Sequence, residues 1–337
     1  MSSPAARPTA SASPVAISPA HPPLIGFGIV LGAAALFGTL GPLSRFAYDA
    51  GMDPTSFVAW RGLIGFLGLA AYVAWRVRRG ATRLVRPGEI PFRARTLLLL
   101  AGAMGFALNL SMFIAFDRIT IALALLGFYT YPAMVAAVNV ALGREALDGA
   151  RAMALGLAIV GMVAVVASQL DPTRGLRLDA FGVGLALAAA VTQTVFVVVS
   201  RDGYDEVPTE QAMTFVLLVT VVGSVAIAMV TGATASLAYP IVAPDVLPLL
   251  LVAGIFTAAI PSLGFLTGIR AIGGTRAGIL MLFEPAVGVA LAAWLLGESL
   301  VPIQLVGAVA ILAAAVVLQR SASGPDTGRP TIVPGGP

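Results

Sequence analysis

Ten stretches of this chain are each long and apolar enough to leave water altogether. They run roughly over Leu24–Leu43, Thr55–Trp75, Thr96–Phe116, Ile119–Leu142, Ala152–Leu170, Ala180–Ser200, Glu210–Val230, Val246–Ile269, Arg276–Leu296 and Val301–Leu318. A helix crossing hydrocarbon needs about 20 mostly apolar residues, because every backbone polar group must find its partner inside the segment. Barrel strands would be about half as long and would alternate in polarity, and these runs do neither. We number them spans 1 to 10, and the expected fold class is an all-α membrane protein with ten transmembrane helices. Composition agrees. The 337 residues are 58% hydrophobic and only 11% charged, against about 25% charged in soluble domains. So few charges cannot cover a water-facing surface.

Turn chemistry separates the runs. Asp53-Pro54, Asp171-Pro172 and Val207-Pro208 each mark a helix edge, since the residue before proline avoids the helical region. Breaks as short as Asp117-Arg118 force neighbouring spans to be antiparallel. The Pro/Ala/Ser-rich residues 1–23 and the Gly/Pro-rich residues 321–337 read as disordered tails. The first of these has no apolar core that would make it a signal peptide. The chain has no cysteine, and its one histidine, His21, precedes span 1. Disulfides, thiolate metal sites and a buried histidine relay are thereby excluded, and no cofactor is expected.

All 20 basic residues are arginine. With the N-terminus placed in the cytoplasm, only Arg45, Arg118, Arg174 and Arg177 fall on outer segments and Arg61 lies inside span 2; the remaining fifteen are cytoplasmic. This bias puts both termini inside. The net charge of +4 is accounted for by these loops and calls for no nucleic-acid partner.

The chain also repeats itself. LALLGFYTYPAMVAAVNVALGREAL (Leu123–Leu147) matches AGILMLFEPAVGVALAAWLLGESL (Ala277–Leu300): Tyr131-Pro132 against Glu284-Pro285, and Gly143 with Glu145 against Gly297 with Glu298. Each copy is followed by an apolar span with an early glycine, Gly156 and Gly307. Five spans per copy is an odd number, so the second copy enters the membrane from the opposite side, and the halves are inverted repeats. Inverted repeats allow two equivalent packings that exchange which face is open, and paired interruptions in corresponding helices point to a midplane site. Pro132 and Pro285 are such a pair, expected to kink spans 4 and 9.

These segments, with FGTLGPLSRFAYDAGMDPTSFVAWRGLIG (Phe37–Gly65), resemble EamA domains of the drug/metabolite transporter superfamily. The opening segment has a small-residue first helix, a polar link with proline, and an arginine in the second helix; the closing segments carry the "YP" or "EP" and "LGE" elements. The resemblance covers Leu24 to Arg320, with residues 24–170 and 171–320 as the two five-helix repeats. It implies ten helices, cytoplasmic termini and a central cavity lined mainly by spans 1, 3, 4, 6, 8 and 9, with spans 5 and 10 peripheral. Two departures stand out: Phe37 where tryptophan is frequent, and no arginine in span 7 to match Arg61.

Several polar residues lie at depth. Glu284 is the only acid well inside a span, about 12 Å from Arg276 along the helix. An ionised carboxylate there costs at least about 2.5 kcal/mol, so it is protonated, paired or facing water. It either binds a substrate ammonium or coupling proton, or caps backbone freed by Pro285. Arg61 either attracts a substrate carboxylate, or pairs with a glutamate or backbone carbonyls, or snorkels to the outer surface. Asn109, Tyr129, Thr130, Tyr131, Gln193 and Ser262 supply uncharged donors and acceptors, for substrate or for neighbouring helices. Asn109, Tyr131 and Gln193 come first, because they lie on spans that line the cavity in the resembling family. Phe37, Phe113, Phe128 and Phe265 are candidate lining, and Gly28/Gly32 and Gly274/Gly278 are candidate close-packing positions.

The expected function is a secondary transporter, working in the export direction, for a small metabolite such as an amino acid, in the cell membrane. A multidrug cation–proton antiporter is the alternative, weakened because span 1 holds no acid. Expected partners are a small-molecule substrate, the lipid bilayer and a proton as coupling ion, in a monomer or weak homodimer. An intramembrane enzyme lacks a nucleophile–base pair, paired acids and a metal set, and a channel lacks a filter or charge ring.

Overall fold

In a computed structural model the chain is described over residues 23–145, 147–168, 179–296 and 301–322. Residues 1–22 and 323–337 of the tails, the Asp171-Pro172 break, Arg174, Arg177 and the Gly297–Glu298 match lie outside these residues, whereas Pro23, Ser321 and Ala322, expected in the tails, belong to the first and last helices. The described residues are helical throughout, with no strand, and ten helices are long and apolar enough to cross a membrane. These are Leu24–Asp49, Pro54–Arg78, Phe92–Arg118, Ile121–Ala141, Gly149–Ala167, Ala180–Asp202, Thr209–Val230, Pro244–Ile272, Gly274–Leu291 and Pro302–Arg320. Span 1 runs further than its apolar core, through Ser44 and Arg45 to Asp49. Two short helices, Thr234–Leu237 and Tyr239–Val242, which hydropathy gave no reason to expect, bridge spans 7 and 8.

Local chemistry sets the ends. Asp53 accepts from the backbone N–H groups of Thr55 and Ser56 at 2.9 and 3.1 Å, with Pro54 opening span 2. Asp148 and Asp179 cap spans 5 and 6 in the same way, satisfying donors the first helical turn leaves free. A single residue, Gly273, joins spans 8 and 9. Its φ of +88° lies where only glycine is unstrained, and that reverses the chain within one residue.

Three spans are broken. Span 1 is interrupted at Gly38-Thr39, span 4 at Tyr129-Thr130 and span 9 at Leu282-Phe283. The breaks in spans 4 and 9 correspond across the repeat. Pro132 and Pro285 do not kink a continuous helix; each stands one residue inside a fresh half-helix, Tyr131–Ala141 and Glu284–Leu296, where a missing N–H costs nothing.

Spans 5 and 10 pack along each other at the periphery, so tightly that a Cβ on Gly161 would stand 2.6 Å from the Gly307 carbonyl. Gly161, and not Gly156, is the residue that meets Gly307. Of the two small-residue pairs expected to pack closely, Gly274 and Gly278 do so, against Val197 and Tyr131. Gly28 and Gly32 face open space instead. Span 1 meets span 8 through its opposite face, where Gly26, Ile29 and Ala33 lie against Ile272 and Gly264.

Candidate substrate site

A cavity of about 110 Å³ lies between the halves. Glu284, Tyr131, Asn109, Gln193, Arg61 and Ser262 all line it, as do Phe37, Phe113, Phe128 and Phe265. Tyr129 does not. The break in span 4 turns it away into the protein, where it is 1% exposed with its hydroxyl toward Glu284. Thr130 is exposed and bonds back to the Gly127 carbonyl at 2.8 Å. Spans 2 and 7 also contribute walls, through Arg61, Met213, Val216 and Leu217, which widens the set of lining helices beyond the six expected.

Arg61 does not snorkel. It is 3% exposed and fixed from three directions. Its Nε donates to Thr257 Oγ1 at 3.1 Å, one Nη to Asn109 Oδ1 at 2.9 Å, and the other Nη to the Thr257 carbonyl, while the guanidinium lies over the Phe113 ring. The sequence explains why that carbonyl is free. Residue 261, four places on, is proline and has no N–H to offer it. The helix relaxes into a π-turn over Ile255–Ala259, a form that recurs at functional sites. Guanidinium carries five N–H donors; three are engaged here, leaving two for the cavity.

Glu284 opens the second half of span 9, and Gly38 of span 1 lies against its backbone: a Cβ on Gly38 would stand 2.8 Å from the Glu284 carbonyl. Arg61 from the first repeat and Glu284 from the second face the same cavity and act on each other electrostatically, but form no ion pair. Gln193 neighbours the Tyr131 hydroxyl and keeps its Oε1 without a partner. The remaining wall is apolar and soft, with Met112, Met213, Met281, Phe116 and Phe196. Sequence reading missed those five because they look like ordinary lipid-facing residues. It missed Thr257 as well, although Pro261 was a visible signal.

The cavity is displaced toward one end of the spans. Its lining reaches Phe116, two residues from the end of span 3, but stops at Phe196, six residues short of the end of span 6. At the near end Arg118 holds Asp179 at 2.9 Å, and that guanidinium keeps the Asp179 carboxyl below the usual range. The far end is cross-tied. Arg76 of span 2 meets Glu210 of span 7 at 3.4 Å, and Arg201 of span 6 pairs with Glu145 after span 4. Arg270 at the end of span 8 donates to the carbonyls of Val207 and Tyr204 at 2.9 and 3.2 Å. Burial at this end pushes the Tyr204 phenol up. Deeper in, Asn139 donates to Thr275 at 3.2 Å, again from one half to the other.

Ten spans in two inverted repeats, with a cavity lined from both, are the architecture of a membrane carrier. The EamA-like transporter family model matches residues 24–167 and 180–320, and the chain belongs to that family, within the drug/metabolite transporter superfamily. Among solved structures, 29 chains match. One, a crystal structure at 20% sequence identity, superposes with a TM-score of 0.64 over 89% of this chain and 97% of that one, which shows a common fold. No curated protein matches the chain in sequence.

Proposed function

We propose that this transporter exports a small zwitterionic metabolite, such as an amino acid, across the cytoplasmic membrane by alternating access, with both termini in the cytoplasm. One observation carries the reading: a guanidinium from one half and a carboxyl from the other face a shared cavity without neutralising each other. The two uncommitted Arg61 donors suit a carboxylate, since guanidinium binds that group with a fork geometry. Glu284 suits an ammonium, and in the empty carrier it takes up the coupling proton. The methionines and phenylalanines suit a variable apolar side chain. A cation–proton antiporter is less well served, because Arg61 would repel its substrate.

With the arginine-rich loop in the cytoplasm, the cavity is displaced outward and the Arg76–Glu210 and Arg201–Glu145 ties close the inner end. Opening inward means breaking these ties while the outer helix ends converge, the exchange that inverted repeats make available. The test is exchange in proteoliposomes with labelled amino acids, their decarboxylated amines and their deaminated acids, with and without a pH gradient. Only compounds bearing both charges should exchange, and Glu284→Gln should abolish the dependence on the gradient. Equal exchange of amines or acids would refute the zwitterion, and an unchanged gradient dependence would remove Glu284 from coupling.

A further inference from the structure

A second cavity, of about 390 Å³, lies away from the substrate site, between the start of span 3 and the end of span 6, at the end of the molecule that carries the seven-arginine stretch 76–95. Its rim is cationic: Arg93 and Arg144 both line it, together with the hydroxyl-bearing Thr96. Arg144 is anchored by one Nη donating to the Val198 carbonyl at 3.0 Å, and so keeps donors over. Arg93 is exposed and forms no ion pair among the described residues. One acid, Asp202, also lines the cavity, and its carboxylate lies 3.7 Å from Arg201, a cation outside the cavity. The rim therefore has cationic charge to spare.

One wall is apolar, formed by Phe92, Leu97 and Val199. Phe92 is 80% exposed, and the same two spans go on to present Leu99 and Val191, each 52% exposed, along the bilayer face. Two guanidinium groups at the ends of membrane spans, above a wall that continues into hydrocarbon, match a ligand with an anionic head and an acyl body. Free anions have no use for the wall, and neutral lipids have no use for the rim. Basic pockets between spans are a recurring form of lipid headgroup recognition.

We infer that this groove binds one anionic phospholipid, its phosphodiester between Arg93 and Arg144 and its acyl chains along spans 3 and 6. Arg144 adjoins Glu145, which pairs with Arg201. A lipid seated here therefore strengthens the tie between spans 4 and 6 at the closed end of the carrier.

The test uses the full purified chain in detergent, titrated with phosphatidylglycerol or phosphatidylcholine, and reads retained lipid by native mass spectrometry and thermal unfolding alongside. One phosphatidylglycerol should be retained in preference to phosphatidylcholine. Arg93→Ala and Arg144→Ala should each weaken retention about fivefold, and together about thirtyfold, the scale of one juxtamembrane basic residue near an anionic surface. Arg93 is exposed, so its variant keeps the fold even if Arg144→Ala does not. Arg86→Ala, in the same basic stretch but outside the groove, should leave retention unchanged. Equal retention of phosphatidylcholine, an equal loss in Arg86→Ala, or displacement by inorganic phosphate would each overturn the assignment.

Discussion

Thr257→Val isolates the fixture that holds Arg61. The substitution is close to isosteric at a fully buried position and removes the hydroxyl that accepts from Arg61 Nε at 3.1 Å. The Thr257 carbonyl stays, and so does its bond to the other side of the guanidinium. In water-soluble proteins a hydrogen bond to a charged donor is worth about 1.5–3 kcal/mol. Between membrane helices, double-mutant cycles average about 0.6 and reach about 1.7 kcal/mol. This bond has a charged donor and both partners are buried, so it belongs near the upper membrane value: about 1–1.5 kcal/mol. The melting temperature in detergent, followed by tryptophan fluorescence, should fall by about 2 °C. Trp60, adjacent to Arg61 and bonded to the Leu237 carbonyl at 2.8 Å, is a local reporter. A cycle with Arg61→Met separates this bond from general packing, and its coupling should be about 1 kcal/mol. A coupling within about 0.3 kcal/mol of zero, the limit expected for independent sites, would mean that Arg61 is not held by Thr257 and would refute the fixed guanidinium.

Gly161→Val should destabilise the chain by about 1–3 kcal/mol through overpacking, because its Cβ would meet the Gly307 carbonyl. Gly156→Val, whose Cβ meets nothing within 4 Å, should be neutral in the same melt. Asp179 is held below its ordinary value of 3.8 by the hydrogen bond from Arg118; its contribution is therefore present above that value and lost as pH falls through the lowered one. Asp179→Asn should lower the melting temperature slightly at neutral pH, with the difference closing in strong acid. Glu145→Gln breaks the tie to Arg201 and should favour the inward-open state by up to about fivefold, since partly exposed pairs are worth at most about 1 kcal/mol. The chain has no cysteine, so a single Phe196→Cys reporter suffices, and its labelling from the arginine-loop side should accelerate.

The ten spans and the inversion were legible because lipid leaves only one way to satisfy a spanning backbone, and an odd span count settles the rest. The cavity was partly legible for a related reason. In a chain this apolar, a polar side chain at depth has few places to go, and six of the eight polar candidates, all but Tyr129 and Thr130, share one cavity. Tyr129 shows the limit. Whether residue 129 or residue 131 faces inward depends on where span 4 breaks, and a break at two residues rotates everything after it. Gly28 and Gly32 show another. Small residues mark close packing only when one face is distinguished, and a helix between lipid and protein is apolar on both. The five missed lining methionines and phenylalanines are silent in sequence for that same reason.

The paired breaks show why a symmetric scaffold gives an asymmetric site. Tyr131-Pro132 and Glu284-Pro285 stand at corresponding positions, each opening a half-helix beside the cavity. Inversion supplies two equivalent places for a polar group, yet one holds a neutral phenol and the other a carboxyl. The same holds one level out. Span 2 brings Arg61, and span 7, its counterpart, brings no arginine. Strict symmetry would put two acids and two cations around one small cavity, with like charges in mutual view. Dropping one member of each kind leaves a single cation and a single acid, on opposite repeats. If the substrate is the zwitterion proposed above, a rocking motion that moves the repeats against each other would change the one distance it spans, and would couple substrate charge to conformational state through Arg61 and Glu284.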